Sequence, residues 1–303
     1  MYRLKAVSLA IAIGRIVRLN RVTERGKTVK TEAQVAGHYG RGGLEEKILG
    51  ALRAAGVDLA RVTAEELAPV DEFHVGGLEA TKELAAQMEL RAGMRLLDVG
   101  SGIGGPARFF AAAFACEVTG IDLTEEFVRV AESLTRLVKL QERVQFRQGS
   151  ALEMPFGAET FDGAYLLHVG MNVADKAGVF REVRRVLKAG TQFTVYDMMR
   201  TGEGAFALPA PWAVTQDASF VETPARYREA LQAAGFLVER ERGRRAFAIE
   251  FTQRMMARMA EGGAPALGLP LLMGEKAPEM MRNMRAALLD GVLEPVEMLA
   301  RAA

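Results

Sequence analysis

Between residues 93 and 200, short runs rich in apolar residues alternate with longer amphipathic stretches. The runs over 94–99, 116–121, 143–147, 161–167 and 191–197 are strand-sized and carry β-branched and aromatic residues, so each reads as a strand. Between them the period lengthens to that of a helix. Pro106–Ala113 is one such stretch. Over Asp175–Lys188, Val179, Phe180, Val183, Val186 and Leu187 share one face, and Gly190 is the expected stop. Strands alternating with helices predict a doubly wound α/β fold, a parallel sheet with helices on both faces. A sixth strand is predicted over 235–241 and a seventh over 292–299, where Pro295 suits an edge or a bulge better than a ladder centre. Residues 246–290 between them read as an insertion of two helices. Upstream, 44–52 has helical spacing and stops near Gly56. Thr63-Ala64-Glu65-Glu66 forms a capping-box pattern that opens a short helix closed by Pro69, and 78–90 gives another helix. The expected organisation is an extension over 1–30, a helical cap over 31–92, and one α/β domain over 93–303.

The chemistry concentrates where the first strand ends. Residues 95 to 105 read Arg-Leu-Leu-Asp-Val-Gly-Ser-Gly-Ile-Gly-Gly. Glycines at 100, 102 and 104 let bare backbone turn tightly and approach a ligand, and the following helix is expected to aim its first N–H groups at the same place. The second strand ends at Asp122, the position from which a doubly wound fold holds the two hydroxyls of a ribose. A nucleoside-bearing cofactor is therefore expected. Gly100, Gly102 and Gly105 also satisfy the dinucleotide spacing G-x-G-x-x-G, which keeps a nicotinamide-dependent oxidoreductase as an alternative. Asp98 weighs against it: a carboxylate two residues before the first glycine would repel a diphosphate but suits a ligand carrying sulfonium and ammonium charges.

These residues give the chain a resemblance to the class I S-adenosylmethionine-dependent methyltransferases. Leu96–Gly105 resembles that family's first motif and Ile121-Asp122 its second. Gln148–Phe156 resembles the third, Phe161–Tyr165 with Leu166-Leu167-His168 the fourth strand, and Glu182–Thr191 the helix end and turn before the fifth. The resemblance implies a Rossmann-like seven-stranded methyltransferase sheet and S-adenosyl-L-methionine as cofactor. Gly100, Gly102 and Gly104 would pass its methionine end, Asp122 would hold the ribose, and Ser150, Ala151 and Leu152 would lie along the adenine, with Asp98, Ser101 and Leu123 as further cofactor contacts. Ser150 departs from the family, which usually has an acid there to accept from the adenine amino group. Glu72–Gly77 and His168–Asn172 look like the small-molecule branch, which includes ubiquinone/menaquinone-biosynthesis and sarcosine/dimethylglycine methyltransferases. That implies an acceptor that is an amine or an apolar ring compound. Tyr39 and His74 are expected to close over the cofactor.

His168 is the candidate general base, since an imidazole titrates near neutrality; the other reading is a cofactor or loop contact. The strand order should also bring Asp197 to the crevice. The substrate side is expected from two lid segments, 200–222 and 246–290, with Phe206, Trp212, Tyr196 and Asn172 as contacts and methionines that adapt to irregular apolar shapes. A non-catalytic binding protein on the same fold is the remaining alternative.

Composition narrows the partners. With 39 basic and 38 acidic residues the chain has no global attraction for polyanions, and the arginine run from 240 to 245 reads as a solvated strand end. Nucleic acid is not an expected partner, and a homodimer is left open. One cysteine, Cys116, allows no internal disulfide and fits a reducing compartment, the cytoplasm. Three histidines without paired cysteines make a zinc site unexpected. The first 23 residues are basic and lack acids, but their apolar stretch, Ala6–Ile13, is too short to span a membrane.

Overall fold

The computed structural model describes residue 32, residues 36–37, 42–262 and 267–303. The extension over 1–30 and Tyr39 lie outside the described residues. Among the described residues, helices α1 (Leu44–Ala54), α2 (Ala64–Asp71) and α3 (Gly77–Ala85) lead into the sheet. Thr63 and Glu66 close the capping box reciprocally. Pro69 lies inside α2 rather than ending it; the helix runs on to Asp71. The third helix stops five residues before the expected 90, and beyond its end the Glu89 N–H is taken by the Gln192 side chain (2.8 Å).

From β1 (Arg95–Val99) the chain alternates through α4 (Gly105–Phe114), β2 (Glu117–Asp122), α5 (Glu125–Leu137), β3 (Val144–Gln148), β4 (Phe161–Leu167), α6 (Lys176–Val186) and β5 (Leu187–Arg200). Then come α7 (Pro224–Ala233), β6 (Phe236–Gly243), α8 (Arg245–Gly262), the short α9 (Pro270–Met273), α10 (Ala277–Leu289) and β7 (Leu293–Ala302). The seven strands form one sheet in the order β3-β2-β1-β4-β5-β7-β6. All neighbours are parallel except β7, which runs antiparallel between β5 and β6. Helices α6 and α7 pack on one face around Phe180, Val183, Tyr227 and Leu231, and α3, α4 and α5 on the other around Leu84, Phe110 and Ala131. Among the described residues no helix is long and apolar enough to cross a membrane.

Two expectations about the sheet change. Helix α6 ends at Val186 and β5 starts at once at Leu187, so Gly190, at φ 74°, lies at the irregularity between the Leu187 and Gln192 pairings of β5 rather than as a helix stop. The seventh strand is internal rather than an edge. Its Pro295 is tolerated because the Pro295 carbonyl takes the Arg244 N–H (2.8 Å) where the β6 ladder gives out, so the missing N–H falls near a ladder end. The arginine run is not simply solvated either. Arg244 is 5% exposed, lies 4.1 Å over the Phe247 ring and pairs with Glu83 (2.8 Å) and Glu297 (3.4 Å).

Candidate active site

Four strand ends lie in a row. In the sheet order β3, β2, β1, β4 they present Gly149–Leu152, Asp122, Gly100–Gly102 and His168. Neighbouring strands are ~4.8 Å apart, so the row extends roughly 14 Å. A cavity of about 240 Å³ runs along it. Of the expected cofactor contacts, Asp98, Gly100, Ser101, Gly102, Asp122, Leu123, Ala151, Leu152, His74 and His168 all line this cavity, as does Asn172.

The turn after β1 is closed by its own hydrogen bonds. The Gly100 and Ser101 N–H groups both donate to the Ile121 carbonyl (2.8 and 3.0 Å). Gly102 donates to Asp122 Oδ2 (2.8 Å) and Gly104 to the Ser101 carbonyl (2.9 Å). These four donors of the turn are used inside the protein. A diphosphate cradle needs such groups free, which weighs against the dinucleotide reading of the glycine spacing. Gly100 has φ 73°, and a Cβ there would lie 2.4 Å from Val169. At Gly102, φ 52°, a Cβ would meet nothing within 4 Å, since that face is open cavity. Gly104 starts α4 behind the turn against Phe146 and does not line the cavity.

Asp98 and Asp122 are the acids of the row. Asp122 accepts from Gly102 and, through Oδ1, from the Thr124 N–H (2.8 Å). Asp98 is 2% exposed, and its Oδ2 has no partner within the protein. Burial pushes Asp98 up to about 8, with the Asp122 charge adding to it, while the Tyr165 hydroxyl and Arg108 pull the other way.

The histidines meet at the far end of the row. His168 adopts φ 55° and donates its N–H to the Tyr196 carbonyl (2.7 Å). Its Nε2 is buried without a partner, and burial together with His74 holds the ring well below the ordinary imidazole range. His74 is pushed down to about 4 by burial, and its Nε2 lies 3.1 Å from the Thr81 hydroxyl. That hydroxyl donates in turn to Glu72 (2.7 Å), a carboxyl that burial and Asp71 raise to about 8. The two imidazole rings stand 5.9 Å apart.

Other expected residues fall elsewhere. The Ser150 hydroxyl donates to the Glu32 carboxylate and accepts from the Leu152 N–H (3.0 Å). It is Glu32, not Ser150, that reaches the cavity wall. Tyr196 is sealed behind the histidines with its hydroxyl on the Val75 carbonyl (3.0 Å). Phe206 packs on Trp212 and does not line this cavity. Asp197, expected at the crevice, is fully buried and accepts from the Tyr227 hydroxyl (2.7 Å) beneath it, so it is structural.

The sequence reading missed Arg108 and Asp71. Arg108 is fully buried in α4; its Nη2 donates to Asp71 (2.7 Å) and to the Ile103 carbonyl of the glycine turn (2.6 Å), while Nη1 reaches Thr135 of α5 (3.0 Å). One guanidinium thus ties α2, the turn and α5 together. The available signal was a lone charge in the otherwise apolar stretch 106–113.

A second, smaller cavity of about 50 Å³ adjoins the first, sharing Phe73, His74 and His168 with it; five methionines, Trp212 and Phe251 line it together with Val75, Pro211, Thr252 and Leu269.

Residues 97–195 match the family described as "Methyltransferase domain". A sterol 24-C-methyltransferase of Gibberella zeae is 36% identical over 118 residues, covering 39% of this chain and 31% of that protein. The chain thus spans about a third of the length of the curated relatives it matches. Geranyl diphosphate C-methyltransferase of Streptomyces coelicolor has a similar fold, with TM-score 0.66 at 15% identity over 90% of this chain and 98% of that one. Phosphoethanolamine N-methyltransferase 2 of Haemonchus contortus gives TM-score 0.66 at 19% identity over 79% and 57%. The stretch that matches this family carries Asp98, the glycine turn, Asp122 and His168.

Proposed function

We propose that this chain is an S-adenosylmethionine-dependent methyltransferase acting on a small-molecule acceptor. The observation that carries the reading is the row of strand ends: a buried carboxyl at Asp98 whose Oδ2 has no hydrogen-bond partner, open backbone at Gly102 and a second carboxylate at Asp122 face one cavity. Asp98 fits the ammonium of the methionine end, and Asp122 fits the ribose hydroxyls. Ala151 and Leu152 supply an apolar wall for adenine, and the Glu32 carboxylate, tied to Ser150, takes the place of the acid that position 150 lacks. The bound cofactor supplies a methyl group already activated on a sulfonium. What is left to the protein is alignment and exclusion of water, worth roughly 7–11 kcal/mol when reacting atoms are held at attack distance.

His168 is the acceptor-side base in this reading. Its basicity is low, but the proton leaves after the methyl has arrived, from a positively charged adduct, so a weak base suffices. The near balance of charge supports a partner other than nucleic acid, and the single buried cysteine supports a cytoplasmic setting.

Thermal shift with S-adenosylhomocysteine and with NAD tests the cofactor. At a ligand concentration of about 100 Kd, S-adenosylhomocysteine is expected to stabilise the fold by about 2.7 kcal/mol, and NAD at the same concentration to leave the melting temperature unchanged. The reverse pattern sinks the proposal in favour of an oxidoreductase.

A further inference from the structure

The second cavity carries chemistry that neither the glycine turn nor the family match assigns. Five methionines (Met171, Met255, Met273, Met281, Met284) and Trp212 dominate its wall. Among the described residues, no Asp, Glu, Lys or Arg lines it. Its polar atoms are mostly spent: Trp212 Nε1 donates to the Ser219 hydroxyl (3.0 Å), and the Thr252 hydroxyl donates to the Ile249 carbonyl (2.9 Å). His74 Nε2 is engaged by Thr81. His168 Nε2, buried and unpartnered, is left at the wall shared with the cofactor cavity.

We propose that this cavity is the acceptor chamber and that it selects an uncharged, hydrocarbon-rich acceptor over a charged amine or a diphosphate. The inference rests on the methyltransferase reading and deepens it. An ammonium placed here would lose its hydration with no carboxylate in the wall to replace it, a cost of several kcal/mol. Glu72 stands behind His74, tied to Thr81, and lines neither cavity. A diphosphate would find no guanidinium or ammonium in the wall, and no group of three or more His, Cys, Asp or Glu among the described residues could bring a metal to it. Thioether side chains are apolar, polarizable and unbranched, so they reshape around an irregular hydrocarbon at low cost. At about 50 Å³ the chamber as it stands admits the reacting end of such a molecule, and movement of Met255 and Met281, both half-buried, would widen it.

The transfer balances without a further reactant. The acceptor's electron pair forms the new bond to the methyl carbon, and the carbon–sulfur bond breaks with its pair left on sulfur. The acceptor then releases one proton, which His168 Nε2 takes.

The test is calorimetry on the full chain loaded with S-adenosylhomocysteine, titrated separately with farnesol, sarcosine and geranyl diphosphate. Farnesol is expected to bind at least tenfold more tightly than either charged probe. Met281→Glu and Met255→Glu change half-buried positions and are each expected to weaken farnesol at least tenfold while leaving S-adenosylhomocysteine affinity unchanged. Tighter binding of sarcosine or geranyl diphosphate, no farnesol binding, or farnesol affinity indifferent to both substitutions overturns the chamber assignment. Absence of S-adenosylhomocysteine binding instead overturns the cofactor reading, so the two failures are separable.

Discussion

Arg108→Met is expected to lower unfolding free energy in urea by about 3–5 kcal/mol, the usual loss when one partner of a buried ion pair is removed. The substitution keeps the stem's volume but leaves the Asp71 carboxyl, the Ile103 carbonyl and the Thr135 hydroxyl without the donor that now serves them. Asp71 is already raised by burial and held down by Arg108. Without that charge its carboxyl rises further, so the variant should be least impaired in mild acid, where Asp71 can be protonated. Arg108→Met/Asp71→Leu removes both charges and should recover a large part of the loss. A single variant as stable as the parent would show that the guanidinium does not hold the turn to α2.

Asp122→Ala is expected to raise the S-adenosylhomocysteine Kd by about 10²-fold or more. Two hydrogen bonds from ribose hydroxyls to a carboxylate are worth roughly 1.5–3 kcal/mol each. The same carboxylate also holds the Gly102 and Thr124 N–H groups (both 2.8 Å), so the turn loosens as the ribose contact is lost. Asp122→Asn keeps one acceptor oxygen and should fall between the parent and Asp122→Ala. Equilibrium dialysis with labelled S-adenosylhomocysteine checks both, and unchanged affinity in Asp122→Ala would remove this carboxylate from the cofactor site.

Local chemistry made the first half of the site readable in the sequence. The strand-to-glycine run with Asp98 and the second strand's Asp122 are short-range patterns, and the parallel alternation fixes which strand ends share an edge. The Thr63 capping box was readable for the same reason. What escaped depends on partners distant in the chain. Arg108 acquires its role from Asp71, 37 residues away, and Glu32 meets Ser150 across 118 residues. Pro295 reads as an edge signal because nothing local shows that β6 ends beside it. Likewise β5 begins at Leu187 because that residue pairs with Phe161, and the apolar face of α6 runs into it without a break. Tyr196 and Phe206 were reasonable aromatic contacts by type, yet register sealed one behind the histidines and placed the other beside Trp212.

The central claim, that Asp98 receives a cationic ligand in this crevice, makes a signed prediction. In the empty protein Asp98 is raised to about 8 by burial, and Glu72 stands at about 8 for the same reason. A carboxyl whose folded pKa lies above its unfolded value favours the folded state at low pH. That contribution is lost as pH rises through about 8, so the empty protein should melt at lower temperature at pH 9 than at pH 7. Ligand binding runs the opposite way. An ammonium beside Asp98 requires the carboxylate, so below about 8 binding must expel the proton.

Calorimetry of S-adenosylhomocysteine in buffers of different ionisation enthalpy, between pH 6.5 and 9, measures this directly. Release approaching about one proton per ligand at pH 6.5 and vanishing near pH 9 is expected, with affinity rising about tenfold per pH unit up to about 8. Binding with no proton release and no pH dependence over that range would contradict the role given to Asp98, and no heat at any pH would contradict the site itself.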